Sequence, residues 1–227
     1  MSKALFAASL LAVALIAPVA HAHEAGDIIM RAGAITVDPH ENSGRINHSV
    51  LGKVDGSKAT LDSDTQLGLN FAYMLTSNWG IELLAATPFS HDVGVKGMPG
   101  AFAGLNGKLG SLKHLPPTLS LVYYPMESKS AFQPYVGAGI NYTWFFDDKL
   151  SSEAESKGFR GLDMKDSWGL AAQVGMDYML TDKIMLNAQV RYIDIDTTGT
   201  TSLAGNKVKV DVDVDPWVYM VGLGYKF

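Results

Sequence analysis

Residues 167–180, SWGLAAQVGMDYML, alternate without interruption: Trp168, Leu170, Ala172, Val174, Met176, Tyr178 and Leu180 share one parity, and Gly169, Ala171, Gln173, Gly175 and Asp177 the other. Period two is the repeat of a β-strand, whose successive side chains point to opposite faces. Here one face is apolar and the other small or polar. A TDK turn at 181–183 leads into a second such run, in which Ile184, Leu186, Ala188, Val190 and Tyr192 oppose Asn187, Gln189 and Arg191.

The pattern recurs outward in both directions, and the spacing predicts eight strands, at about 27–37, 63–75, 79–86, 118–124, 132–146, 168–180, 184–192 and 217–227. Short connections near 76–78, 125–130 and 181–183 alternate with long ones near 38–62, 88–115, 147–166 and 197–206. Up-and-down antiparallel strands place successive connections at opposite ends, so the short turns gather at one end and the long loops at the other. Transmembrane barrels of the outer membrane have that asymmetry, with short periplasmic turns and long extracellular loops.

Composition alone points elsewhere. The chain has 227 residues, no cysteine, 18 Lys+Arg against 23 Asp+Glu, and 47% hydrophobic residues, totals that suit an ordinary soluble domain. The lack of cysteine excludes disulfides, cysteine-based metal sites and thiol nucleophiles. A net charge of -5 argues against nucleic acid as a partner. Residues 1–22, MSKALFAASLLAVALIAPVAHA, combine Lys3, an apolar run and the triplet Ala20, His21, Ala22, which predicts a signal peptide cleaved before His23. A buried helix and a retained anchor are the competing readings; the polar HEAGD that follows favours cleavage. Residues 23–227 are then expected to form the barrel. Beyond the leader, no apolar run is long enough for a membrane-spanning helix.

Aromatic placement separates a barrel in lipid from a soluble one, which would turn its apolar face inward. Tyr73, Trp79, Tyr123, Tyr142, Trp144, Trp168, Tyr178, Tyr192, Trp217, Tyr219 and Tyr225 lie mostly toward strand ends on the apolar parity, as interfacial girdles require. The opposite parity is then the lumen: Arg31, Gln66, Asn70, Glu82, Asn141, Gln173, Asn187, Gln189, Arg191, Asp211 and Asp213 are expected there. Asp211, Asp213 and Asp215 either pair with Arg31, Arg191 or lysines across the lumen, or lie at a solvated extracellular strand end, or contact a solute or cation. Val208, Val210, Val212 and Val214 have even parity whereas 217–227 has odd, which predicts a register-resetting bulge near Asp215 and Pro216. His48, His91 and His114 fall in the long loops without ligand spacing and read first as solvent-exposed. Phe102, Leu105, Leu112, Leu150 and Phe159 form either a greasy entrance or loop packing. No nucleophile is placed beside a base, so the chain reads as a non-enzyme.

The blocks GDIIMRAGAITVDP, SDTQLGLNFAYM, IELLAATPFSH, LPPTLSLVYYP, FQPYVGAGINYTWFF, DSWGLAAQVGMDYML and DVDVDPWVYMVGLGYKF closely resemble the OmpW family of small outer-membrane barrels, above all its Pseudomonas branch. The resemblance implies an all-β, eight-stranded antiparallel barrel that serves as a passive channel for small hydrophobic molecules, without cofactor. It also implies contact with outer-membrane lipid including lipopolysaccharide, and with the barrel-assembly machinery during biogenesis, in keeping with the terminal Phe227. A narrow channel for small amino acids or other polar solutes, and a structural or adhesive barrel, remain open alternatives. Pro88 lacks an amide hydrogen, so it either ends a strand or breaks the wall ladder. The resemblance implies the wall break, as a lateral opening.

Overall fold

The structure is a computed structural model that describes residues 23–227; the leader expected at 1–22 lies outside them. Among the described residues, eight strands close into a ring: β1 (Ile28–Asp38), β2 (Asp64–Met74), β3 (Trp79–Ala86), β4 (Thr118–Tyr123), β5 (Phe132–Leu150), β6 (Ser167–Met179), β7 (Ile184–Ile193) and β8 (Trp217–Lys226). Each pairs antiparallel with its chain neighbour, and β8 returns to β1 from Ile29↔Lys226 to Asp38↔Trp217. Closure gives both edges of every strand a partner, as backbone in hydrocarbon demands. The seam is tight at Gly33↔Gly222, where a Cβ on Gly33 would sit 2.1 Å from the Val221 carbonyl oxygen.

The apolar parity faces outward in the barrel: Leu67, Leu83, Leu119, Val136, Leu170, Val174, Leu186 and Val221 are all exposed. Two aromatic bands bound this surface. Near the short turns, Trp79 packs on Tyr123 at 4.8 Å and Tyr225 on Phe227 at 4.8 Å; at the other end Tyr142 meets Trp168 at 4.7 Å and Tyr192 meets Trp217 at 5.5 Å. From Trp168 to Tyr178 the strand runs roughly 33 Å, which at a tilt of about 40° spans roughly 25 Å of hydrocarbon. Leucine and valine outside the ring face lipid there, and the aromatic rings sit at its two margins.

Beyond the upper band the wall continues as strands rather than loose loops. Residues 42–43, 47–48, 52–53, 159–164, 196–203 and 206–213 build one extracellular sheet, while 58–61, 89–96 and 107–115 extend the wall beside the end of β5. The expected bulge at Asp215 and Pro216 does not reset the register. Tyr192↔Trp217 and Asp196↔Asp213 belong to one continuous alignment, each pair four residues further along both strands. Even-numbered residues stay inside throughout: Val208, Val212, Val214, Val218 and Met220 are all buried. What reverses is the exterior medium. Lipid surrounds β8, so apolar side chains there point out; water surrounds residues 206–213, so their valines point in.

That reversal also corrects the expected lumen positions of Asp211 and Asp213. Both are exposed on the outer wall, where Asp211 accepts from Thr198 Oγ1 at 2.8 Å and pairs with Lys209 at 3.1 Å, far from any role with Arg31 or Arg191. A carboxylate on the wet outside of a wall needs no buried partner.

Candidate functional site

The interior is stratified. At the short-turn end, Ile29, Ala72, Met74, Val122, Tyr124, Tyr135, Met179 and Met185 form an apolar plug. Tyr135 fills the space that Gly175 leaves, its Cζ lying 2.4 Å from where a Cβ would stand. His23 closes this end, edge-on to Tyr124 at 4.6 Å and 3.2 Å from Asp177.

A charged belt lies above the plug. Arg31 donates from Nε to Asp177 Oδ1 at 3.0 Å and from Nη2 to Oδ2 at 2.5 Å, and Nη1 reaches Asn70 at 2.9 Å and Glu82 at 3.3 Å. Arg191 Nη2 donates to the other Glu82 oxygen at 2.7 Å, and Gln173 Nε2 to the same oxygen at 2.9 Å. Asn187 donates to Asp177 at 2.8 Å, and Tyr135 Oη to Gln189 at 3.3 Å. Two guanidinium groups thus meet two carboxylates. All four side chains are at most 1% exposed, so the belt crosses the lumen as a filled layer. Of the other residues expected inside, Asn141 is buried against Thr118 and Thr143, and Gln66 is half-buried near the upper rim against Asp64 and Thr87.

Above the belt the lining becomes apolar, with Ile35, Val37, Phe145, Ile193, Ile195, Val214 and Val218 packed together. Over this sits an apolar cavity lined by Phe102, Leu105, Phe159, Leu162, Val208, Val210 and Val212, among others. Phe102, Leu105 and Phe159 are therefore cavity residues; Leu112 is buried in the core and Leu150 is half-buried outside the lining. A second, far smaller space, with room for about one water-sized group, is bounded by Val37, Pro39, Leu61, His91, His114, Phe145, Ile195, Val214 and Pro216 and shares Leu61 with the lining of the first.

Pro88 stands at a break in the wall. The β3–β4 ladder stops at Leu84↔Thr118, and pairing resumes only at Phe89↔His114, so Ala85–Pro88 face Leu115–Pro117 with no paired register. Pro88, Pro116 and Pro117 offer no amide hydrogens to close that stretch. On the other side of the strand the wall is intact at Thr87, whose amide donates to the Leu67 carbonyl at 3.0 Å.

His91 and His114 are not the exposed loop residues that their spacing suggests. They occupy the paired strands 89–96 and 107–115, just outside the Leu115↔Trp144 level, and both are buried. Their rings stack at 4.8 Å, with Nε2 to Nε2 at 2.8 Å. Burial holds His91 below its ordinary pKa although Asp62 and Asp64 oppose this; burial and the neighbouring His91 push His114 down to about 3. No sequence signal marks the pair, because the two rings lie twenty-three positions apart and the strand pairing alone joins them. His48 lines the large cavity. Asp194, Asp196 and Asp215 bring carboxylate oxygens within 4.8 Å of one another near the upper rim, an acidic group of a kind common without any ion.

A sequence model of the OmpW family matches residues 24–227. The chain belongs to the OmpW family. This OmpW-family barrel is similar to the crystal structure of the outer membrane protein OprG from Pseudomonas aeruginosa, with 54% identity and a TM-score of 0.86 over 92% of this chain and 99% of that one. It is 44% identical to outer membrane protein W of Escherichia coli (strain K12), over 99% of this chain and all of that protein. It is also 26% identical, over 77% of each chain, to the dibenzothiophene metabolism operon protein PahQ of Pseudomonas aeruginosa. The eight-stranded antiparallel barrel, its place in the outer membrane and its non-enzymatic, channel-type character follow from membership together with the closed ring.

Proposed function

We propose that this OmpW-family barrel passively admits small hydrophobic molecules, capturing them in the outer apolar cavity and releasing them sideways into the membrane at Pro88. The observation that carries this reading is the stacking of layers: an apolar cavity above a belt of fully buried ion pairs. A solute that enters from outside meets paired Arg31, Glu82, Asp177 and Arg191 below it. Separating those pairs to let an apolar body through would leave uncompensated charges in a low-dielectric interior. The wall beside the apolar layer, by contrast, lacks ladder bonds between Ala85–Pro88 and Leu115–Pro117. Release there costs no paired charge and delivers the solute to hydrocarbon, which it prefers by the hydrophobic effect. The relative named for a dibenzothiophene metabolism operon accords with an apolar aromatic compound as solute.

The belt also weighs against small amino acids, since Gln173, Asn70 Oδ1 and Asn187 Nδ2 are bonded to the belt's own charges, although Asn70 Nδ2 and Asn187 Oδ1 are left without a partner. The test is initial-rate influx into cells whose outer leaflet is lipopolysaccharide, with and without the protein, of naphthalene and of glycine. Faster naphthalene influx with unchanged glycine influx supports the proposal. Faster glycine influx with unchanged naphthalene influx refutes it.

A further inference from the structure

The His91–His114 pair fixes its own protons. His91 Nδ1 lies 2.6 Å from the Asp62 carbonyl oxygen, which only accepts, so Nδ1 carries the hydrogen. In neutral His91 the Nε2 is then a lone pair, and His114 Nε2, 2.8 Å away, must donate to it. This leaves His114 Nδ1 as an acceptor. It is buried and has no hydrogen-bond partner. Everything else around that ring is apolar or already paired: Phe89 stacks at 5.3 Å and Phe145 at 5.6 Å, while Val37, Leu61, Ile195 and Val214 bound the same small space.

A buried acceptor without a donor is the exception in folded proteins and asks for an explanation. Its position supplies one. The space borders the large outer cavity, with Leu61 in both linings, and Phe89, the stacking partner of His114, follows Pro88 directly in the wall break. Resting on the lateral-route reading above, we propose that His114 Nδ1 accepts a hydrogen bond from the transiting solute, so that the barrel selects apolar molecules with one donor, phenols and alkanols, over hydrocarbons of the same size. The small space takes the hydroxyl at the acceptor, and the apolar outer cavity beyond Leu61 takes the hydrocarbon body.

Phenol and toluene differ by that donor and are matched in size. The full mature protein in lipid nanodiscs, labelled with ¹⁵N-histidine, is titrated with each. Phenol binds roughly five-fold more tightly than toluene, the effect of one net hydrogen bond, and shifts the His114 Nδ1 resonance saturably, while toluene leaves it in place. In His114→Phe the two probes bind equally, at the toluene affinity. Equal binding to the wild-type protein with an unmoved Nδ1 resonance overturns the assignment of His114 and leaves the hydrophobic channel standing. Binding of neither probe overturns both. Because the wild-type resonance decides the matter alone, a His114→Phe variant that fails to fold does not shelter the proposal.

Discussion

Arg31 on β1 and Asp177 on β6 stand 146 residues apart in the chain and meet across the lumen in a two-pronged ion pair, 3.0 Å at Nε–Oδ1 and 2.5 Å at Nη2–Oδ2, with neither side chain exposed. Removing the Asp177 charge leaves buried Arg31 with only the longer ionic contact to Glu82, at 3.3 Å. Asp177→Asn should therefore lower stability by about 3–5 kcal/mol, read from urea unfolding in lipid. The double variant Arg31→Met, Asp177→Leu should recover most of that loss. An Asp177→Asn barrel as stable as the parent would show that the pair is not what fills this layer.

The second half of the belt controls water. Glu82→Ala combined with Arg191→Ala removes a matched pair, bonded at 2.7 Å, and its volume without stranding that charge. In planar bilayers the parent should show no sustained ion current, and the double variant a measurable one. A parent that conducts steadily would mean that the belt is not a seal.

Pro88 tests the exit. Pro88→Ala restores an amide to a segment opposite Leu115–Pro117, where no register pairs at present. The expected outcome is slower naphthalene influx at unchanged folding, measured by heat-modifiable gel mobility, and unchanged toluene affinity for the outer cavity. Adding Pro116→Ala should deepen the loss. Influx unaffected in both variants would place the exit elsewhere.

Acid should loosen the region around the histidine pair. Burial and His91 depress His114 to about 3, and burial depresses His91 as well. Their ordinary value, near 6.5, holds whenever the strands open. Above about 6.5 both states are neutral and stability is full. Below it the open state takes up protons first, so stability falls with pH until His114 itself titrates near 3 in the closed state. Amide protection across residues 89–96 and 107–115, with the intrinsic pH dependence of exchange divided out, should fall between these limits and stay level above them. Protection that is flat from pH 7 to 4 would contradict the shift.

Much of this was legible in the chain. The alternation at 168–180 and its recurrences set strand number, direction and lipid face, because in the hydrocarbon zone parity and environment are locked together; Glu82, Asn70, Asn187 and Arg191 lie inside for that reason. The same rule misplaced Asp211 and Asp213. Parity tells which residues share a face, and only the exterior medium tells which face is inward; that medium changes from lipid to water between Trp217 and Asp213. The His91–His114 contact and the partners within the belt were beyond reach, since barrel closure brings together residues such as Glu82 and Arg191 that lie 109 positions apart. The break at Pro88 was half legible: proline announces a missing amide, whereas Pro116 and Pro117 become part of it only through the pairing.

The central claim is that an apolar solute leaves through the wall above the belt. A hydrocarbon carrying a photoactivatable diazirine, added from outside to the protein in lipid and irradiated, reports its path through the inward-facing residues that it labels. Labelling should fall on Phe102, Phe159, Val210 and Leu61, then on Phe89 and His114 beside the gap, and should spare Met74, Met179 and Met185 in the plug. Equal labelling of those three methionines would mean that the solute passes the belt, and would contradict lateral release.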